Sequence, residues 1–172
     1  RTFSQGLLTE LAEAASIPVI NALTDDYHPC QALAMALTFM EHKGDVKGRK
    51  LTFVGDGNNV AASHFIICAM LGINASLVHP EGYGLKADVR EQINKLAAGS
   101  GSNFLATTSP EEGLKDTDLV YTDVWASMGQ EAERQKRLEI FKDYQVNSKM
   151  LELAKPDAIV SHCLPAHRGE EV

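Results

Sequence analysis

The chain has 172 residues, 44% of them hydrophobic and 23% charged, the balance of an ordinary globular protein rather than a disordered one. Sixteen Lys and Arg against 23 Asp and Glu give a net charge of −7, the opposite of what a phosphate-gripping nucleic-acid binder needs. No apolar run reaches the ~18 residues of a membrane helix, and the three cysteines, Cys30, Cys68 and Cys163, form no CxxC pair, so they read as reduced thiols of a cytoplasmic protein.

In chain order, Leu7, Leu8, Leu11 and Ala15 make Gly6 to Ala15 an amphipathic helix, and Ile17 to Ile20 a brief strand. A polar loop leads to a helix over Gln31 to His42, which Gly44 ends. The pattern then changes. Lys50 to Val54 is a strand, Gly55 to Asn59 a turn, and Val60 to Leu71 a helix stopped by Gly72. Strands follow at Asn74 to His79, Asn103 to Thr107, Asp118 to Thr122 and Ala158 to Ser161. Helices come between them at Ala87 to Ala98, from Ser109-Pro110, at Glu131 to Phe141 and at Ser148 to Leu153. Gly99 to Ser102 reads as the turn closing the first of these helices. This alternation predicts an α/β fold: a doubly wound parallel sheet of about five strands with helices on both faces. Residues 1–44 look like the tail of another unit, and 45–172 like the sheet domain. An Arg1 start without Met and an abrupt Glu-Glu-Val end read as a piece of a longer chain.

Ligands of such sheets sit outside the carboxyl ends of the strands, which selects the loops at Gly55, Pro80, Asp123 and His162. Gly55-Asp56-Gly57-Asn58-Asn59 opens a helix, so its backbone suits an anion. The dinucleotide fingerprint fails at Val60, where its third glycine belongs. Asn58 and Asn59 can bind a carboxylate without adding charge, and a tight turn with an asparagine cap accounts for them equally well. Asp123, with Ser127 four residues on, suits an ammonium group; the competing reading is a loop-starting Asp beside a surface Trp125. His162, Cys163, His167 and Arg168 crowd one strand exit. A metal is not expected there, because His162 and Cys163 point to opposite faces of an extended chain. Cys163 is a reactive thiol or an inert buried one. His28 and Gln31 stand where a loop meets a helix and can polarise a carbonyl and hold its amino substituent, although His28 taken alone reads more readily as a plain helix-start histidine, and Cys30 reads as packing.

Taken together, these motifs resemble the ornithine carbamoyltransferases over essentially the whole chain. The family's His-Pro-x-Gln stands as His28 to Gln31, its Asp-x-x-x-Ser-Met-Gly as Asp123 to Gly129, and its His-Cys-Leu-Pro as His162 to Pro165. The Gly-Asp-Gly-Asn-Asn loop matches too. The resemblance implies a Rossmann-like domain that transfers the carbamoyl group of carbamoyl phosphate to the δ-amine of L-ornithine, without cofactor or metal. By that resemblance His28 stabilises the carbonyl oxygen, Gln31 holds the carbamoyl amino group, and Arg1 and Leu164 adjoin carbamoyl phosphate. Asn59 and Asn58 hold the substrate carboxylate; Asp123, Ser127 and the Met128 backbone hold the α-amine; Cys163 borders the δ-amine, and either its thiol or Asp123 helps accept or relay the amine proton, the choice being left open. The implied partners are these small molecules alone, with no nucleic acid and no membrane, in a homotrimer or larger assembly.

Two departures accompany the resemblance. The family's Ser-x-Arg-Thr-Arg phosphate motif and its closing carboxy-terminal helix have no counterpart in residues 1–172. Little turnover is therefore expected of these residues alone, and their oligomeric state is left open. Competing readings are a carbamoyltransferase for another amine, a non-catalytic dinucleotide-binding module and an amino-acid sensor.

Overall fold

The computed structural model describes residues 1–126 and 133–172. Two helices, α1 (Gln5–Ala14) and α2 (Pro29–Lys43), precede the sheet. The rest alternates: β1 (Lys50–Val54), α3 (Asn59–Leu71), β2 (Asn74–Val78), α4 (Ala87–Ser100), β3 (Phe104–Thr107), α5 (Pro110–Leu114) and β4 (Leu119–Thr122). It ends with α6 (Arg134–Phe141), a 3₁₀ turn at Lys142–Tyr144, α7 (Ser148–Leu151) and β5 (Ile159–His162).

The five strands run parallel in the order β3-β2-β1-β4-β5. The chain winds outward from β1 through β2 to β3, then returns to place β4 on the other flank of β1. The expected doubly wound sheet is therefore present, and the gap beyond Val54 and Thr122 is its topological switch point.

Period-two alternation divides the core. Leu51, Phe53, Leu119 and Tyr121 meet Phe39, Phe65 and Ile93 on one face. Val54, Val78 and Val120 meet Leu114, Val146 and Met150 on the other. α3 lies against both α2 and α4, and its Val60 to Phe65 stretch is buried all round. On the second face Thr52 and Ser76 are buried but satisfied, both donating to the Gly113 carbonyl, at 2.9 and 2.6 Å. That approach requires glycine: a Cβ on Gly113 stands 2.1 Å from Val78 Cγ2.

Two local expectations fail. Ile17 to Ile20 forms no strand; among the described residues no strand pairs with it, and Ile17 and Ile20 are 73% and 78% exposed. An apolar run becomes a strand only when another backbone meets its N–H and C=O groups. Gly99 and Ser100 belong to α4, and the left-handed residue that ends it is Gly101.

α1 buries none of its residues, and Leu7, Leu11, Leu33, Leu37 and Met40 are exposed along α1 and α2. Among the described residues no helix is long and apolar enough to cross a membrane.

Candidate active site

A cleft of about 860 Å³ opens at the switch point. Arg1, His28, Asn58, Asn59, Asp123, Cys163 and Leu164 all border it.

The loop after β1 supplies the asparagines. Asn58 caps α3: its Oδ1 accepts from the backbone N–H groups of Val60 and Ala61, both at 3.0 Å. This satisfies the bland expectation of an asparagine cap, yet the other end of the same amide has a second task. Asn58 Nδ2 donates to Asp123 Oδ2 at 3.0 Å. Asn59 donates from Nδ2 to the Thr24 carbonyl at 2.6 Å, tying the loop before α2 to the start of α3.

Asp123 follows β4 and is 6% exposed. Its Oδ1 accepts from the Cys163 thiol and from the Val124 N–H, each at 2.8 Å. A buried carboxylate with donors on both oxygens is the arrangement that makes burial of an anion tolerable. The same carboxylate acts on Cys163. Burial chiefly, and then the Asp123 charge, push the thiol well above its usual range, so it is protonated at neutral pH. His162 turns the other way and meets Glu171 Oε1 at 3.1 Å, the divergence expected of adjacent strand residues.

His28 precedes α2 and is anchored through its backbone N–H to Ser63 Oγ at 2.8 Å. Among the described residues its buried Nδ1 has no hydrogen-bond partner. Burial lowers its pKa, outweighing the nearby Asp123 charge, and the ring is therefore predominantly neutral at pH 7. Gln31 does not border the cleft. It stands behind it, with Nε2 donating to the Tyr121 hydroxyl at 3.1 Å. Leu164 is 69% exposed with φ at 58°. Cys30, expected to pack, is exposed, its Sγ 3.6 Å from the Asn21 carbonyl. Ser127 and Met128 lie outside the described residues.

Sequence reasoning overlooked two groups. Tyr121 is fully buried on β4, stacked on Phe53 with ring centroids 5.5 Å apart and tilted against His64 at 4.2 Å. Strand alternation marks it as core, but nothing local marks where its hydroxyl goes. Arg137 looks like one more charge on a charged helix. It is instead buried, with Nη1 2.6 Å from Asp56 Oδ2 and 3.0 Å from the Trp125 carbonyl. Its guanidinium also covers the Tyr83 ring at 5.1 Å. Burial raises the pKa of Asp56 despite this partner.

Two family models match the chain. The Asp/Orn binding domain of aspartate/ornithine carbamoyltransferase covers residues 47–172, and the carbamoyl-P binding domain covers residues 1–41. This chain belongs to the aspartate/ornithine carbamoyltransferase family. Within that family it is 52% identical to the ornithine carbamoyltransferase of Bacillus subtilis, over 100% of this chain and 54% of that protein. It is 51% identical to the one from Thermococcus kodakarensis, of which it covers 55%. The solved ornithine carbamoyltransferase from Pyrococcus furiosus superposes with a TM-score of 0.95 at 48% identity, over 99% of this chain and 55% of that one. The chain thus spans about half the length of the curated relatives it matches.

Proposed function

We propose that this chain provides the ornithine site and part of the carbamoyl phosphate site of an ornithine carbamoyltransferase. The observation that carries this reading is Asp123: a buried anion at the switch-point cleft, held by Asn58 and Cys163. An amino-acid substrate presents one carboxylate and two ammonium groups if it is ornithine, but a second carboxylate if it is aspartate. An anionic wall favours the first.

In this reading Asn59 and Asn58 orient the α-carboxylate, and Asp123 with Ser127 and the Met128 backbone binds the α-ammonium. Arg1 and Leu164 adjoin carbamoyl phosphate, and Gln31 holds its amino group. His28, being neutral, serves as a hydrogen-bond donor to the carbonyl oxygen as negative charge develops there. The δ-amine, with a lysine-like pKa of ~10.4, must shed one proton to react. Its nitrogen then forms a bond to the carbamoyl carbon, and the C–O bond to phosphate breaks with the electron pair leaving on phosphate. The second amine proton departs as citrulline forms. Cys163 is a poor acceptor for it, because the thiol already keeps its own proton. The cysteine therefore orders the site, and the departing phosphate, which leaves with the electron pair, takes that proton and is released as the hydrogen phosphate dianion. Most of the rate comes from orientation and charge complementarity.

We assign residues 1–44 to the carbamoyl phosphate half and 45–172 to the ornithine half. The exposed apolar row on α1 and α2 supports a further packed surface of that first half there. The assembled protein is taken to be a cytoplasmic homotrimer or larger.

Calorimetry on the intact protein tests the substrate class. With carbamoyl phosphate present, L-norvaline, which is ornithine without its δ-amine, should bind one per site, and NAD should give no heat. Binding of NAD without norvaline refutes the transferase reading.

A further inference from the structure

We propose that His167, Glu170 and Glu171, on the loop after β5, form a binding site for a divalent transition-metal cation, zinc by the chemistry of its donors. The inference goes beyond the transferase reading and does not rest on it.

A tight turn builds the site. The Glu170 N–H donates to the His167 carbonyl at 3.1 Å, and Gly169 between them takes a φ of 84°, a conformation glycine adopts without strain. Residues three and four apart are thereby brought to one side, as on a helical turn. One donor atom from each of the three side chains lies within 4.8 Å of the others.

The two carboxylates are used in the same way. Each spends Oε1 on protein donors. Glu170 Oε1 is paired with Arg134. Glu171 Oε1 accepts from the His167 N–H at 2.6 Å and stands 3.1 Å from His162 Nε2. Each turns Oε2 toward His167 Nδ1, at 3.9 Å for Glu170 and 3.8 Å for Glu171. These separations are too long for hydrogen bonds. They are close to the ~3.4 Å between neighbouring ligands of a tetrahedral ion with bonds of ~2.1 Å.

Glu171 Oε2 is the atom that calls for an ion. Glu171 is 0% exposed, and among the described residues this buried oxygen has no hydrogen-bond partner. Such an oxygen is costly to bury. A proton on it would only add a donor, with His167 Nδ1 still 3.8 Å away. A cation satisfies both Oε2 atoms and the imidazole at once. Calcium and magnesium take oxygen alone, whereas one imidazole with two carboxylates suits zinc.

His162 and Cys163 diverge as expected, and the site uses neither as a ligand. His162 Nδ1 accepts from the Leu164 N–H at 2.8 Å, so its Nε2 carries the hydrogen and gives it to Glu171. His162 is thus an outer partner that orients a ligating carboxylate. It also joins the site to Leu164, which borders the cleft.

Calorimetric titration of the intact, chelator-stripped protein with zinc chloride should show one site per chain, of micromolar affinity or tighter. His167→Ala removes a half-exposed imidazole, and Glu170→Gln removes a ligand charge. Each should weaken zinc binding at least about tenfold, since even outer partners of a metal site matter that much. Cobalt(II) on the unsubstituted protein distinguishes this site from a thiolate one without any variant. It should give visible absorption with no sulfur-to-metal charge-transfer band. No heat with zinc chloride, equal affinity in both variants, or a sulfur band that vanishes in Cys163→Ser overturns the proposal.

Discussion

Replacing Asp123 by asparagine removes one charge at constant shape, and the surrounding donors dictate how the site responds. If the new amide nitrogen takes the place of Oδ1, it faces both the Cys163 thiol and the Val124 N–H. If it takes the place of Oδ2, it faces only Asn58 Nδ2. Asn58 cannot turn to help, because its Oδ1 holds the Val60 and Ala61 N–H groups. The second arrangement loses one hydrogen bond and wins, at a cost of about 1–3 kcal/mol for the unpaired donors. In the proposed reading, the substrate's α-ammonium loses its charge partner as well. A hydrogen bond to a charged group contributes about 1.5–3 kcal/mol, so affinity should fall roughly 10- to 150-fold. Cys163 responds in the opposite sense. Burial, the larger cause, still holds the thiol up, but the Asp123 charge no longer does, so its pKa falls. In a Cys30→Ser background, with Cys68 fully buried, iodoacetamide therefore labels Cys163 faster at fixed pH. Norvaline calorimetry, urea denaturation and alkylation rates read the three effects separately. Unchanged norvaline affinity refutes the assignment of Asp123 to the substrate, and unchanged alkylation refutes its electrostatic grip on the thiol.

Burial also lowers the pKa of His64 from 6.5 to about 4, so below pH 6.5 the unfolded chain takes up a proton that the folded chain refuses. Stability from this residue is whole above pH 6.5 and is lost on going down to pH 4, by about 3 kcal/mol. The stability difference between wild type and His64→Phe, measured in urea, should shrink by that amount, and a constant difference contradicts a buried neutral ring. A Cβ on Gly57 stands 2.5 Å from the Gly84 carbonyl carbon and 2.6 Å from the Leu85 nitrogen, both backbone. Gly57→Ala should cost about 1–3 kcal/mol and weaken norvaline binding. Gly99→Ala, with nothing within 4 Å, should gain up to about 1 kcal/mol as a helix interior; equal tolerance of both is the contrary result. Arg137→Met strands Asp56, whose side chain is 14% exposed, and should cost about 3–5 kcal/mol in urea. Adding Asp56→Asn should restore more than half, and no recovery would show that the pair is not the source.

Much of this architecture is legible from residue order because parallel strands are written as short continuous apolar runs bounded by turns. Leu51 to Val54 and Leu119 to Thr122 are such runs, and both are strands. Ile17 to Ile20 is equally apolar and is not, because strand pairing depends on a neighbour that local pattern does not reveal. The site divides the same way. The loops bearing Asn58 and Asp123 are found by the rule that ligands gather at strand ends, and both border the cleft. The roles of Tyr121 and Arg137 depend on which distant groups their polar tips meet, across 90 residues to Gln31 and 81 to Asp56. Spacing in the chain carries no trace of such pairings. Asn58 belongs to both cases: its capping oxygen is implied by position, whereas its grip on Asp123 emerges only when β1 and β4 lie side by side.

Which amine receives the carbamoyl group is the question on which the proposed function turns. The intact protein, given carbamoyl phosphate with equal L-ornithine and L-aspartate, should be assayed by mass spectrometry for both products. An anionic Asp123 wall predicts citrulline with negligible carbamoylaspartate; predominant carbamoylaspartate, or neither product, would contradict it.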